Sequence, residues 1–255
     1  MNLPPFALRA IKRALGRYVP SQKVFCAEVV DKIGLEIGGP SGCFRDSGEL
    51  PLYGYVAGLD NCVFSLETIW EGGRAEGPTF FYHPRKTKGF NFIREATDLH
   101  GIIDHHYDFV LSSHNLEHIA NPVKALKEWI RVVKPGGAII VLLPDCRRTF
   151  DHRRQPTAVG HMVKDYELGT NERDMTHLEE ILELHDLSRD PEAGTTEQFY
   201  QRSLCNYENR CLHHHVFDEC NSRELLEAAG LSVEIVEIAK PHHIAILSRS
   251  PSTLG

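Results

Sequence analysis

The chain has 255 residues, 42% of them hydrophobic, and a net charge of -7 at pH 7 with its histidines neutral. This length fits one α/β domain with insertions better than two equal domains. The negative charge argues against a general affinity for nucleic acid, and no apolar run reaches the roughly 18 residues that a membrane span needs. Seven scattered cysteines with no Cys-x-x-Cys pair are typical of reduced thiols, so we expect a cytoplasmic protein.

Residues 5–18 carry apolar residues loosely on one side of a helix and basic residues on the others, and Pro20 ends the pattern. We interpret residues 1–22 as an N-terminal helical extension and residues 23–255 as a single domain. The helix either packs on that domain or makes a peripheral contact with a membrane surface or an anionic substrate. The sequence does not decide between these alternatives, and it does not give the oligomeric state.

A short apolar strand over residues 32–37 runs into a glycine-rich turn, Gly38-Gly39-Pro40-Ser41-Gly42. Open α/β sheets build a nucleotide-sized crevice in this way, because glycines let the backbone approach a ligand closely. A second strand is predicted over residues 52–59, closing on Asp60. An acidic residue roughly 20 residues beyond the turn is where such sites bind ribose hydroxyls. An ordinary helix N-cap or turn aspartate is the alternative for Asp60.

Later strands and helices alternate along the chain. Residues 71–88 are predicted to be a loop or a short helix. Three further strands are predicted over residues 90–96, 107–113 and 138–143. Pro122 begins a helix between the last two of them, and it ends at the Lys134-Pro135-Gly136-Gly137 turn. This alternation predicts a parallel sheet covered by helices on both faces.

From residue 144 to residue 212 the sequence becomes polar and rich in histidine, with one predicted helix over residues 175–187. Long irregular stretches inside a compact domain usually serve a function, so we interpret residues 144–212 as an inserted substrate cap. A short helix is predicted over residues 222–229. Two β-rich runs, 233–238 and 243–247, are predicted to form a closing hairpin.

Four segments together resemble the class I S-adenosylmethionine-dependent methyltransferases of the small-molecule "type 11" and ubiquinone-biosynthesis groups. They are Leu35 to Gly42, Gly58-Leu59-Asp60, Asp108 to His118 and Val132 to Gly137. The resemblance implies an α/β, Rossmann-like methyltransferase fold, with a seven-stranded mostly parallel sheet, helices on both faces and a C-terminal β-hairpin. It also implies S-adenosylmethionine as cofactor. Pro40 departs from the family, since a glycine usually stands there.

The resemblance also implies roles at particular positions. The implied cofactor-binding residues are Glu36, Gly38, Gly39, Gly42, Asp60, Asn61, Asp98, Leu99 and His114. Glu36 would orient the cofactor's amino group, and the glycines would let the backbone pass its methionine and ribose portions. Asp60 would bind the ribose. Asp98 and the Leu99 amide would face the adenine, while His114 would line the methionine end.

Methyl transfer to a hydroxyl needs in-line alignment and removal of a proton, so a base near neutral pH is required. Histidine suits that role. The catalytic candidates are His118, His114, His214, His215 and Asp145. A structural histidine at a helix start is the alternative for His118. The cysteines and histidines between residues 205 and 220 match no familiar zinc spacing, so we predict no metal site.

We therefore expect an enzyme that methylates an oxygen of a small molecule or glycan with a histidine general base, and no nucleic-acid partner. A non-catalytic nucleotide-binding or regulatory module on the same fold is the alternative. A nicotinamide-dependent oxidoreductase is disfavoured by the missing third glycine of a phosphate-binding turn and by Glu36 inside the motif.

Overall fold

The structure is a computed structural model that describes residues 18–67, 75–239 and 241–252. The predicted N-terminal helix lies outside these residues except for its last position, as does most of the predicted extension over residues 1–22. In the described part of the chain, no helix is long and apolar enough to cross a membrane.

Strands and helices alternate as the sequence predicts. The strands are β1 (Ile33–Ile37), β2 (Gly58–Val63), β3 (Gly77–Phe80), β4 (Gly89–Ile93), β5 (Tyr107–Ser113), β6 (Val133–Pro144), β7 (Ser232–Ala239) and β8 (His243–Arg249). The α-helices are α1 (Gln22–Val29), α2 (Pro122–Val132), α3 (Val159–Leu168), α4 (Leu178–Leu184), α5 (Thr196–Leu204), α6 (Asn206–Asn209) and α7 (Glu219–Ala228).

The described strands form one sheet in the order β3-β4-β2-β1-β5-β6-β8-β7. Strands β4, β2, β1, β5 and β6 are parallel, whereas β3, β8 and β7 pair antiparallel to their neighbours. The predicted fold class is confirmed, but the sheet has eight strands and not seven. The extra strand is β3, in a segment predicted to be a loop or short helix. Its glycine and proline suit an edge strand, because an edge strand forms backbone hydrogen bonds to a neighbouring strand on one side only.

The second strand was placed too early by the sequence. Residues 52–57 form turns, and β2 begins only at Gly58. The amides of Leu52 and Tyr53 both donate to the Phe44 carbonyl, so these apolar residues reach the core without pairing in the sheet. As a consequence, Asp60 is the third residue of β2 and lies three residues before its carboxyl end.

Several predicted elements are confirmed. Strand β5 has the predicted bounds, and β7 and β8 form the predicted C-terminal hairpin. Helix α2 begins at Pro122, and the Asn121 side chain caps it by accepting from the Lys124 amide at 3.0 Å. Helix α7 covers most of the last predicted helix and begins at an Asp218 cap.

The insertion contains four short helices, α3 to α6, where the sequence predicted one. It has a small apolar core of its own, made of Ile181, Ala193, Phe199 and Leu212. These helices are short and largely polar, and α5 depends on a local capping box between Thr195 and Gln198. Their hydrophobic periodicity is therefore weak. The main apolar cores lie on the two faces of the sheet, so the insertion is free to cover its carboxyl edge.

Candidate functional site

A cavity of about 710 Å³ lies where the parallel strands end. Its strand-end residues are Gly38, Val63, Ser113, His114, Glu117 and His118. The insertion contributes Phe150, Glu172, Asp190, Glu192, Arg202 and Arg210, and His213 follows directly after it. Ligands of open α/β sheets bind at this edge, because the loops that follow parallel strands meet there. The predicted cap region therefore contributes walls to the cavity.

The glycine turn after β1 forms one wall of the cavity. Gly38 has a φ of +80°, a left-handed conformation that side chains rarely adopt. A Cβ placed there would lie 2.7 Å from Nδ2 of Asn115, another lining residue. At Gly42 a Cβ would meet nothing within 4 Å. Gly38 is thus the position of this turn where the absence of a side chain decides the shape of the cavity.

Two buried polar residues hold the turn and do not line the cavity. Both oxygens of the fully buried Glu36 carboxylate accept from the Tyr53 hydroxyl, at 2.9 and 2.8 Å, and Oε1 also accepts from the Ser41 amide at 3.0 Å. Asn61 accepts from the Gly39 amide at 2.9 Å and donates to its carbonyl at 3.3 Å. Glu36 also comes so close to Gly39 that a Cβ there would lie 2.3 Å from its carboxylate. The turn is therefore held in place by three residues that do not line the cavity, Glu36, Gly39 and Asn61.

The structure does not bring Asp60, Asp98 and Leu99 to the cavity. The Asp60 carboxylate accepts from the Phe90 amide at 2.7 Å and from the Tyr107 hydroxyl at 2.8 Å, in the middle of the sheet. The Asp98 side chain is 61% exposed, and its Oδ1 accepts from the His100 amide. The Leu99 amide donates to Glu128 on α2. After β4 the cavity is lined instead by Arg94, Glu95 and Ala96.

His114 follows β5 and belongs to a polar pair with Glu117. Its φ of 50° is left-handed, a conformation that is unusual for a residue with a side chain and often found at functional sites. Its Nδ1 lies 3.5 Å from Oε1 of the fully buried Glu117, and its Nε2 lies 2.8 Å from Nδ1 of His243. Burial alone would lower the pKa of His114, but hydrogen bonds to Cys43 and Glu117 raise it to about 10. His114 is therefore charged at neutral pH.

Glu117 is the matching negative charge. Burial opposes its ionisation, but the hydrogen bond from His114 and the neighbouring histidines lower the pKa of Glu117 to about 2. Glu117 belongs to the Asp108 to His118 segment that carries the family resemblance, but no role was predicted for it. Its position between His114 and His118, directly after a predicted strand, was the available signal.

His118 lines the cavity in a defined tautomer. Its Nδ1 lies 3.2 Å from the Leu212 carbonyl, which can only accept, so Nδ1 carries the proton and Nε2 carries the lone pair. Burial and the nearby His213 lower the pKa of His118 to about 4. It is therefore neutral at pH 7.

Of the three consecutive histidines 213–215, only His213 lines the cavity. Its Nδ1 lies 2.5 Å from Oδ2 of the buried Asp151, and its ring packs edge-on against His118 with centroids 4.6 Å apart. The candidates His214 and His215 are each 1% exposed and do not line the cavity: Nε2 of His214 lies 3.1 Å from Asn206, and Nε2 of His215 lies 3.3 Å from the Ala120 carbonyl. Burial lowers the pKa of His214 to about 3.

Asp145, the last catalytic candidate, is also turned away from the cavity. It is fully buried, and its carboxylate pairs with Arg147 at 2.7 Å and with Arg148 at 3.1 Å. The arginine-rich segment after β6 is thus at least partly neutralised within the fold. His242, directly before β8, also lines the cavity.

Arg210 connects the insertion to the strand edge. Its guanidinium lies 2.8 Å from Glu95 after β4 and 3.1 Å from Glu172 of the insertion. Burial raises the pKa of Glu172 to about 7, although Arg210 opposes this rise. No sequence signal identified this contact, because its three members are far apart in the chain.

Comparison with known proteins gives one family match. A sequence model described as "Methyltransferase domain" matches residues 35–141, which include β1, β2, β5, α2 and most of β6. No curated protein matches the chain in sequence.

Solved structures share the fold at low sequence identity. A Bacillus halodurans C-125 protein with a provisional methyltransferase name is 13% identical, with 91% of this chain and 97% of that chain covered and a TM-score of 0.51. An S-adenosylmethionine-dependent methyltransferase from Mesorhizobium loti is 14% identical, with 90% and 96% covered and a TM-score of 0.50. These likenesses agree with the Rossmann-like fold that the sequence predicted.

Proposed function

This chain carries a methyltransferase domain of the class I, type 11 group, and from that premise we propose that it methylates a hydroxyl oxygen of a small molecule or glycan. The predicted enzyme class is confirmed by the family match, and the methyl donor of that class is S-adenosylmethionine. The observation that carries the proposal is the cavity at the carboxyl edge of the sheet. In it the rings of His118 and His213 pack edge-on, next to polar residues of the insertion.

The cavity wall fits the methionine end of the cofactor. Gly38 leaves room for close approach, and two neighbouring polar atoms, Ser113 Oγ and Asn115 Oδ1, are buried without a hydrogen-bond partner. Buried polar atoms of this kind are normally paired, so a polar ligand group in the cavity would complete them. When bound, the cofactor supplies an electrophilic methyl group, and the chain's own residues align the acceptor and take its proton.

The residues with which the insertion lines the cavity suit an acceptor that carries hydroxyl groups. Asp190 and Glu192 offer carboxylate oxygens, which accept hydrogen bonds from hydroxyls, and Arg202 offers donors. The Phe150 ring adds an apolar surface beside His213, with ring centroids 4.9 Å apart. This mixture of carboxylates and one aromatic ring supports a sugar or another polyhydroxylated acceptor.

For the general base we propose His213, with His118 beside it. Asp151 orients the His213 ring through Nδ1, which leaves Nε2 to accept the acceptor's proton, and its carboxylate stabilises the imidazolium that forms. His118 is neutral and can act as a second acceptor. His114 is protonated at neutral pH, so the base role that the sequence offered it does not suit its surroundings. His214, His215 and Asp145 do not face the cavity.

A non-catalytic nucleotide-binding module stays an alternative, because Asp60 and Asp98 do not line the cavity. The sequence argument against that alternative depended partly on those carboxylates. Binding with no turnover on any acceptor would favour it.

Calorimetry followed by turnover separates these functions. We expect micromolar binding of S-adenosylmethionine and S-adenosylhomocysteine and no heat with NAD. Transfer of a radiolabelled methyl group would then be measured with sugars, phenols, hydroxy acids and amines as acceptors. Transfer to amines alone would contradict O-methylation, and binding of NAD in place of the methyl donor would contradict the proposed function.

Replacing Gly38 with alanine should weaken cofactor binding. The left-handed backbone costs a residue with a side chain about 1–2 kcal/mol, and the turn would have to move into the cavity to relieve it. We expect an increase of about tenfold in the dissociation constant for S-adenosylhomocysteine, measured by calorimetry. Gly42→Ala is the matched control and should bind as the wild type, since its Cβ meets open space. Equal affinities of the two variants would contradict this role of Gly38.

We also propose a reducing compartment, the cytoplasm, since the seven cysteines are scattered and form no Cys-x-x-Cys pair. A nucleic-acid partner is not part of the proposal, given the net charge of -7.

A further inference from the structure

A cluster of three histidines, two in the insertion and one just after it, does not line the cavity. His161 and Asp165 are one turn apart on α3 and share a face of that helix. His177 stands at the N-cap of α4, and His215 precedes α7. One ring nitrogen from each of these three histidines lies within 4.8 Å of the others.

Asp165 lies close to two of the three histidines, His161 and His215. Nε2 of His161 lies 3.0 Å from Nε2 of His177 and 3.3 Å from Oδ2 of Asp165. Nε2 of His215 lies 3.7 Å from the same oxygen. Ligands about 2.0–2.1 Å from a tetrahedral zinc ion lie roughly 3.4 Å apart, so small movements bring these atoms to coordination distance.

Two polar atoms of the cluster are buried and have no hydrogen-bond partner among the described residues. They are Oδ2 of Asp165 and Nδ1 of His215, whose side chain is 1% exposed. Nε2 of His215 lies 3.3 Å from the Ala120 carbonyl, so binding of an ion through Nε2 would replace that contact. A buried carboxylate oxygen without a donor is costly, so these atoms point to a cation that the protein binds.

Among the described residues, no lysine or arginine forms an ion pair with Asp165. A divalent ion would supply the missing positive charge.

We propose that His161, Asp165, His177 and His215 bind a zinc ion, in a closed site of three imidazoles and one carboxylate. Four protein ligands leave no open position, so the ion is structural. It joins α3 and the start of α4 to the 213–215 segment, which presents His213 to the cavity. His161 is 40% exposed on its side chain, which gives the ion a path from solvent.

Metal content and spectroscopy of the full-length, tag-free protein test this site. We expect one zinc per chain by mass spectrometry, removal with dipicolinate, and a tetrahedral cobalt(II) spectrum when the metal-free protein is titrated with Co²⁺. His161→Ala and Asp165→Asn should weaken zinc binding by more than the about 10- to 100-fold typical of losing an outer partner. Both variants should keep wild-type circular dichroism. His100→Ala, an exposed histidine outside the cluster, is the matched control and should bind zinc as the wild type.

A second cluster, Glu117, His118 and His213, lies in the cavity and gives the competing location. His118→Ala should keep the zinc content. Loss of zinc in His118→Ala with retention in His161→Ala would overturn the proposal, as would wild-type protein that binds less than stoichiometric zinc. The proposal is independent of methyl transfer, since its measurements use no substrate.

Discussion

Replacement of His213 with alanine is expected to lower kcat by about 10²- to 10⁴-fold, the range typical of a lost general base. The affinity for S-adenosylmethionine should stay within about twofold, because the ring faces the acceptor side beneath the insertion. The physical reason is that Asp151 fixes the ring through Nδ1 and presents Nε2 to the cavity. The measurement is radiolabelled methyl transfer to the acceptor found by the screen, with binding followed separately by calorimetry.

Three variants control this result. Asp151→Asn should lower kcat with little change in KM, because it leaves the ring without its orienting carboxylate, and Asp151→Glu should recover part of the loss. His100→Ala, which is outside the cavity, should have wild-type kinetics. Full activity of His213→Ala together with a large loss in His118→Ala would move the base role to His118 and contradict our assignment.

The free energy of unfolding is expected to fall steeply as the pH drops below about 6.5. Burial lowers the pKa of six histidines, namely His118, His177, His185, His214, His215 and His242. The unfolded chain protonates these groups near pH 6.5, whereas the folded chain holds His118 neutral down to about 4 and His214 down to about 3. The unfolded state therefore binds more protons in this window, so stability rises with pH.

The size of the expected loss in the free energy of unfolding follows from His118 and His214, whose pKa values in the folded state are about 4 and about 3. Each contributes about 1.4 kcal/mol per pH unit within its window, so His118 and His214 together cost at least about 3 kcal/mol between pH 7 and pH 5. Urea unfolding at several pH values, with chelator present so that metal release does not contribute, measures this slope. His214→Gln should reduce the slope by about one proton. A free energy of unfolding that is flat from pH 7 to pH 5 would contradict the prediction.

His114 and Glu117 act in opposite pH ranges. The pKa of His114 is raised, so its contribution is fully present below about 6.5 and is lost as the pH rises through about 10. The pKa of Glu117 is lowered, so its contribution is present above about 4.5 and is lost as the pH falls through about 2. This pair therefore contributes its full stabilisation only between about pH 4.5 and pH 6.5, whereas the six histidines with lowered pKa favour the folded state above about pH 6.5.

The sequence by itself determined the fold class, the resemblance to the methyltransferases and the order of the elements outside β3 and the insertion. These features depend on local signals, such as the apolar run of β5, the proline at the start of α2 and the glycines after β1, which act within a few residues. The same signals located the strand ends and therefore the edge of the sheet where the cavity lies.

Only the tertiary structure decided which side chains face that cavity. Asp60 was assigned to the end of a strand, but sheet pairing placed it in the middle of β2, beside Tyr107. His213 faces the cavity while His214 and His215 face away, because packing against Asp151 and Ala120 sets the direction of that segment. The cluster of His161, His177 and His215 likewise joins three separate parts of the chain. Side-chain direction depends on contacts between residues far apart in sequence, which local patterns do not encode.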